Sequence, residues 1–103
     1  MHIVIFVTAA NKKEAGNIAN SLIEKKLAAC VNIIDKIESV FWWEGKVSRA
    51  REVLLVIKSK KTNLNKIIKQ VRAIHSYSVP EIIAIPIAGG YKPYLEWIND
   101  SLR

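Results

Sequence analysis

Two β-rich runs meet across Glu44-Gly45, and a chain of 103 residues has few folds that can accommodate them. On one side stands Val40-Phe41-Trp42-Trp43; on the other, Lys46-Val47 and its continuation to Lys58. Aromatic and β-branched residues favour strands, and Gly45 supplies the positive φ that a tight primed turn needs, so the segment predicts a long β-hairpin. Its arms differ. Val53-Leu54-Leu55-Val56-Ile57 is a continuous apolar run, as in a strand covered on both faces, whereas Lys46 to Glu52 is mostly polar and lies opposite Phe41, Trp42 and Trp43. The aromatic end therefore falls outside the chain's own core. A strand of about a dozen residues spans about 40 Å against a radius of gyration of about 13 Å for a chain of this size, so the hairpin tip should overhang. An apolar protrusion rimmed by charge predicts an association surface, with a second copy as the economical partner and Phe41, Trp42 and Trp43 as its contacts. In the competing arrangement Trp42 and Trp43 straddle the strand, one packing on the home domain and the other against Lys and Arg stems.

The remaining elements follow from periodicity. Residues 3 to 8 form an apolar, β-branched first strand. Asn11 followed by Glu14 resembles a capping box, and Ala15, Ile18, Ala19, Leu22 and Ile23 repeat at helical spacing to about Lys26. Leu27 to Trp43 reads as the second strand, interrupted at Asp35 and Lys36 by a bulge or bend, and Lys46 to Lys58 as the third. Thr62 is the predicted cap of a second helix with the stripe Leu64, Ile67, Ile68 and Val71, ending near His75. Pro80 to Ile87 is a fourth strand, placed at a sheet edge or bulge by Pro86, which cannot donate to a ladder. After Gly89-Gly90, Pro93 suits the first turn of a third helix whose face is Tyr91, Tyr94, Leu95, Ile98 and Leu102. The order β-α-β-β-α-β with a C-terminal helix predicts an α+β, ferredoxin-like fold: one domain over residues 1–103, with helices on one face of its sheet.

Composition bounds the function. Half the chain is hydrophobic, no apolar run is long enough to cross a bilayer, and no basic segment followed by an apolar one opens it, so the expectation is a cytoplasmic protein without a membrane partner. Cys30 is the only cysteine, which excludes an intrachain disulfide. The net charge of +7 raises nucleic acid or an anion as partner, but the lysines are dispersed and only Lys58, Lys60 and Lys61 cluster. An RNA-binding sheet of this topology would need surface aromatics on its third strand, and Glu52 to Lys58 has none, so no nucleic-acid partner is expected.

Four segments, Lys26-Leu27-Ala28-Ala29-Cys30-Val31-Asn32-Ile33, Trp42-Trp43-Glu44-Gly45-Lys46, His75-Ser76-Tyr77-Ser78-Val79-Pro80-Glu81 and Tyr94-Leu95-Glu96-Trp97, together resemble the CutA family of divalent-cation tolerance proteins. The resemblance runs across essentially the whole chain. It implies a homotrimer of ferredoxin-like subunits similar in shape to PII signalling proteins, with long hairpins contacting neighbours, and an association with copper and other divalent metals but no enzymatic activity. Where the family usually reads His-Pro-Tyr this chain has His75-Ser76-Tyr77, which should loosen the turn that aims His75 and Tyr77.

Imidazole and thiolate are the side chains that suit copper, which makes His75 and Cys30 the candidate metal ligands, with His2 a weaker third. No His-x-x-x-His or Cys-x-x-Cys is present, so a fuller ligand set would converge from several copies or include Glu81 and water. Each residue has a plainer role available: Cys30 as a small buried apolar residue, His75 as a helix C-cap, Tyr77 and Glu81 as turn-ordering groups. The primary expectation is thus a non-enzymatic homotrimer that binds copper or another divalent ion. The alternative is a PII-like signalling trimer holding a small anion in intersubunit clefts lined by Lys58, Cys30, Tyr77 and Glu81.

Overall fold

A computed structural model describes all of residues 1–103. Its elements are β1 (His2–Ala9), α1 (Lys12–Glu24), β2 (Cys30–Trp43), β3 (Lys46–Lys60), a 3-10 turn (Lys61–Asn63), α2 (Leu64–Ile74), β4 (Ile82–Pro86) and α3 (Lys92–Ser101). The sheet is antiparallel in the order β2-β3-β1-β4. This is the ferredoxin-like arrangement, and it leaves β4 with its Pro86 at an edge, where a missing N–H is tolerated.

Alternation along the strands sorts the sheet into two faces. Ile3, Ile5 and Val7 of β1 and Val53, Leu55 and Ile57 of β3 point to one side and are enclosed with Ala15, Ile18 and Leu22 of α1 and Ile67 and Val71 of α2. Burial of each large side chain there contributes about 1.5–3 kcal/mol. The third helix lies elsewhere. His2, on the opposite parity of β1, bonds Asn99 of α3, and Ile98 is fully buried yet apart from that cluster, so α3 covers the second face rather than sharing the first. The expected apolar face of α3 is only partly enclosed, since Tyr91 and Tyr94 remain exposed.

Several element boundaries move for local reasons. Asn11 caps α1 as expected, its side chain accepting from the Glu14 N–H at 2.8 Å. The helix ends in a Schellman turn, with Leu27 N–H bonded to the Leu22 carbonyl, Lys26 N–H to Ile23, and Lys26 at a φ of 56°. That turn uses Lys26 and Leu27, so β2 begins at Cys30 rather than Leu27. Thr62 caps nothing: it lies inside the 3-10 turn, and β3 runs on to Lys60. The interruption at Asp35 and Lys36 is a bulge, where Ile34 pairs with Leu54 but Ile37 with Glu52, and Lys36 takes a φ of 61°.

The hairpin overhangs as its length demands, giving the molecule a long axis of 44 Å beside widths of 25 and 22 Å. Trp42 and Trp43 do straddle the strand, yet neither packs on the home core, at 74% and 50% exposed. Both turn residues sit at positive φ, Glu44 at 51° and Gly45 at 77°, which makes a type I′ turn. A glutamate in that region costs about 1–2 kcal/mol. Glu44→Asn should therefore stabilise the protein by about 0.5–1 kcal/mol, read as a higher urea midpoint at unchanged m-value, and an unmoved midpoint would show the turn carries no strain.

Candidate functional site

The segment after α2 is held by a network that begins on β1. His75 leaves the helix with extended backbone and an imidazole that is 0% exposed. Its Nε2 lies 2.8 Å from the carbonyl oxygen of Thr8, which can only accept, so Nε2 carries the hydrogen. Its Nδ1 lies 3.0 Å from the Tyr77 N–H and must supply the lone pair. The ring is thereby fixed in one neutral tautomer with both nitrogens used.

Glu14 locks the same turn from α1. Its Oε1 accepts the Ala10 N–H at 2.9 Å and stands 3.8 Å from His75 Nδ1, while Oε2 accepts the Ser76 N–H at 2.8 Å. Burial would raise this carboxyl's pKa, but the hydrogen bonds it accepts from the Ala10 N–H and from Ser76 outweigh it and hold the value below the ordinary carboxylate range. A carboxyl lowered on folding contributes stability that is complete above its unfolded pKa and is lost as pH falls through its folded one. Acid titration followed by near-UV circular dichroism should show the wild type losing part of its stability through that window, with Glu14→Gln flatter over the same range. The departure at position 76 acts opposite to expectation: Ser76 ties the turn to Glu14 through an N–H that a proline would lack.

Tyr77 carries the segment toward the hairpin. Its ring leans on His75, with centroids 4.7 Å apart, and its hydroxyl donates to Glu52 Oε2 at 2.8 Å. Burial, followed by that bond and the charges of Glu52 and Glu14, pushes the phenol up to about 12. Between this segment and the overhanging hairpin opens a groove of about 780 Å³, lined by Phe41, Trp43, Glu52, Tyr77, Val79 and Glu81 among others.

The candidates named from sequence separate here. Tyr77 and Glu81 line the groove, but Lys58 does not: it bonds Asn32 and pairs across the ladder with Cys30. Cys30 shares that ladder position with Val4, while His75 bonds at Thr8, roughly 13 Å further along β1. Within one chain, then, His75 and Cys30 do not converge; His75 is the C-cap residue of α2, its backbone N–H bonded to the Val71 carbonyl, while its ring turns away from the helix to Thr8 and Tyr77. Cys30 is half-buried beside Tyr94, whose hydroxyl is raised by burial and then by the nearby thiol. His2 spends its Nε2 on Asn99 Oδ1. No group of three or more His, Cys, Asp or Glu side chains could hold a metal ion in the single chain, so its residues alone do not make a metal site. Glu52 and the second role of Glu14 escaped the sequence. A carboxylate at the edge of an apolar strand run was the available signal for Glu52; nothing local announced that Glu14 reaches residue 76.

The family description "CutA1 divalent ion tolerance protein" matches residues 3–101. The chain belongs to the CutA1 family. It is 52% identical to Protein CutA 1, chloroplastic, of Oryza sativa, over 98% of its own length and 57% of that protein's. It thus spans little more than half of the plant relatives, Arabidopsis thaliana included at 56%, but the whole of the divalent-cation tolerance protein CutA of Archaeoglobus fulgidus at 46% identity. The solved structure of the Archaeoglobus CutA, described as periplasmic, superposes with a TM-score of 0.97 over 100% of both chains. The rice CutA1 crystal structure does so at 0.96, over 99% of this chain and 94% of that one. These relatives correct the cytoplasmic expectation: they are named chloroplastic and periplasmic, and the cytoplasmic reading is withdrawn. The names describe tolerance of divalent cations rather than a reaction. No helix here is long and apolar enough to cross a membrane.

Proposed function

We propose that this chain acts as a non-enzymatic homotrimer in divalent-cation tolerance, holding copper or another divalent ion through ligands that more than one copy contributes. The family match over residues 3–101 carries this reading. The want of a complete ligand set in one chain is what requires sharing. Cys30 is the better-placed donor, because its thiol is half-buried and free of any disulfide, whereas the His75 lone pair is taken by Tyr77. The exposed rings of Trp42 and Trp43, with Val40 and Val47 beside them, are the surfaces a neighbouring copy would cover. The PII-like alternative, an anion held near Tyr77 and Glu81, is weighed against by the two carboxylates in the groove.

Native mass spectrometry of the metal-free protein, then with graded Cu(II) and Zn(II), tests both halves. The expected result is a trimer that takes up a defined number of ions, with uptake lost in Cys30→Ser. Adducts that ignore Cys30 and His75 alike would remove metal binding from the reading, and a monomer would remove the assembly.

A further inference from the structure

The lysines that are dispersed along the chain gather on the fold. Between Glu52 and Glu81 the sequence has six cations and no acidic residue, so this stretch carries almost all of the net charge of +7. Lys58 and Lys60 alternate with the buried Ile57 and Ser59 and leave on the second sheet face, whereas Lys61, Lys66, Lys69 and Arg72 stand exposed on the layer of helices. The Schellman turn of α1 adds the exposed Lys25 and Lys26 to that layer. Its Leu27 carbonyl accepts from Ser59 Oγ at 2.6 Å and from Asn63 Nδ2 at 3.3 Å, which seats the turn against the start of α2. Gln70 of α2 donates to Ser21 Oγ of α1 at 2.7 Å, so the two helices run antiparallel, and one turn from that bond Lys66 and Lys25 come level. None of these cations has an acidic partner, since the chain's ion pairs are His75 with Glu14 and Arg103 with Asp100, and the neighbouring Glu24 joins neither.

The placement works against the helix that carries it. Lys66 stands in a first turn without an acid, at the positive end of the helix dipole, and Lys66, Lys69 and Arg72, spaced three apart, are like-charged neighbours. An anion laid along them relieves both costs. The face offers charge and no rings: the exposed aromatic residues lie on the hairpin (Phe41, Trp42, Trp43) or at α3 (Tyr91, Tyr94, Trp97), so bases have nothing here to stack on. All but Arg72 are lysines, point charges without the fork by which arginine reads a single phosphate or carboxylate. Lys66 to Arg72 covers about 9 Å of helix axis, and Lys25, Lys26 and Lys61 continue the track past the helix start. We propose that this face binds linear inorganic polyphosphate along Lys25, Lys26, Lys61, Lys66, Lys69 and Arg72. It lies on the helical side of the sheet, away from the hairpin rings that a neighbouring copy would cover, and it stands apart from the metal reading.

Fluorescence anisotropy of a short end-labelled polyphosphate, titrated with the full chain in metal-free buffer over a range of salt, tests it. Saturable binding is expected, with a log–log salt slope of roughly −3 to −4, the value for about five contacts on a flexible polyanion. Replacing three track residues together, Lys61→Gln, Lys66→Gln and Lys69→Gln, should weaken binding at least about tenfold and flatten the slope by about 2. Removing the same charge elsewhere, by Lys36→Gln, Lys46→Gln and Lys92→Gln together, should cost less than about threefold. All six lysines are exposed, so both variants keep the fold. No binding at low salt, equal losses in the two variants, a salt-independent affinity, or tighter binding of single-stranded or duplex DNA with the same number of phosphates would each overturn the proposal.

Discussion

His75→Ala should cost about 3 kcal/mol of stability. The substitution strips the Thr8 carbonyl and the Tyr77 N–H of their partners in a site where the imidazole is 0% exposed. Each buried group left unpaired costs about 1–3 kcal/mol, and the space of the ring adds to it. His75→Gln, whose amide can still donate toward Thr8, should recover part of the loss. Urea unfolding of the three proteins measures this, and a His75→Ala midpoint equal to wild type would mean that the network does not anchor the segment. The same pair interprets any metal experiment. Copper uptake lost together with stability reports a displaced Tyr77–Glu81 segment, whereas uptake lost at unchanged stability makes His75 a ligand after all.

Trp42→Ser should dissociate the proposed trimer. Trp42 is 74% exposed in the single chain and points to the side of the hairpin opposite Phe41 and Trp43, so it supports neither the core nor the groove. A tryptophan buries about 150–250 Å² when covered, worth about 4–6 kcal/mol at about 25 cal/mol per Å², so its removal should weaken each contact by at least about 100-fold even where the smaller serine keeps part of the burial. Sedimentation equilibrium over a range of concentrations reads the shift, while thermal unfolding of the dissociated chain tests whether the fold survives. A variant that remains as tightly assembled as wild type would place the interface away from Trp42.

The hairpin, the bulge and the edge strand were legible because each depends on residues close in sequence. Glu44-Gly45 makes the primed turn, Asp35-Lys36 breaks an alternation that is otherwise regular, and Pro86 is barred from the interior of a ladder. Errors at element ends came from competition between neighbours. The Schellman turn at Lys26 consumed the start of β2, and the 3-10 turn took Thr62 from its expected capping role.

The site was less legible, because its chemistry depends on which lone pair meets which donor across large sequence separations. Imidazole in sequence reads as a possible ligand. Only the approach of Thr8 from β1 and of Tyr77 from the following turn shows that both ring nitrogens are spent. Glu14 announced itself as a capping residue, but its bond to Ser76 spans 62 positions. Periodicity and turn chemistry, which are local and backbone-driven, determined the fold and the overhang of the hairpin from the sequence by itself. The tertiary structure alone decided that α3 covers the second sheet face, that His75 and Cys30 stand apart, and that Glu52 meets the Tyr77 hydroxyl. Those outcomes depend on packing across the sheet, where a side chain's neighbours are set by strand register and not by spacing along the chain.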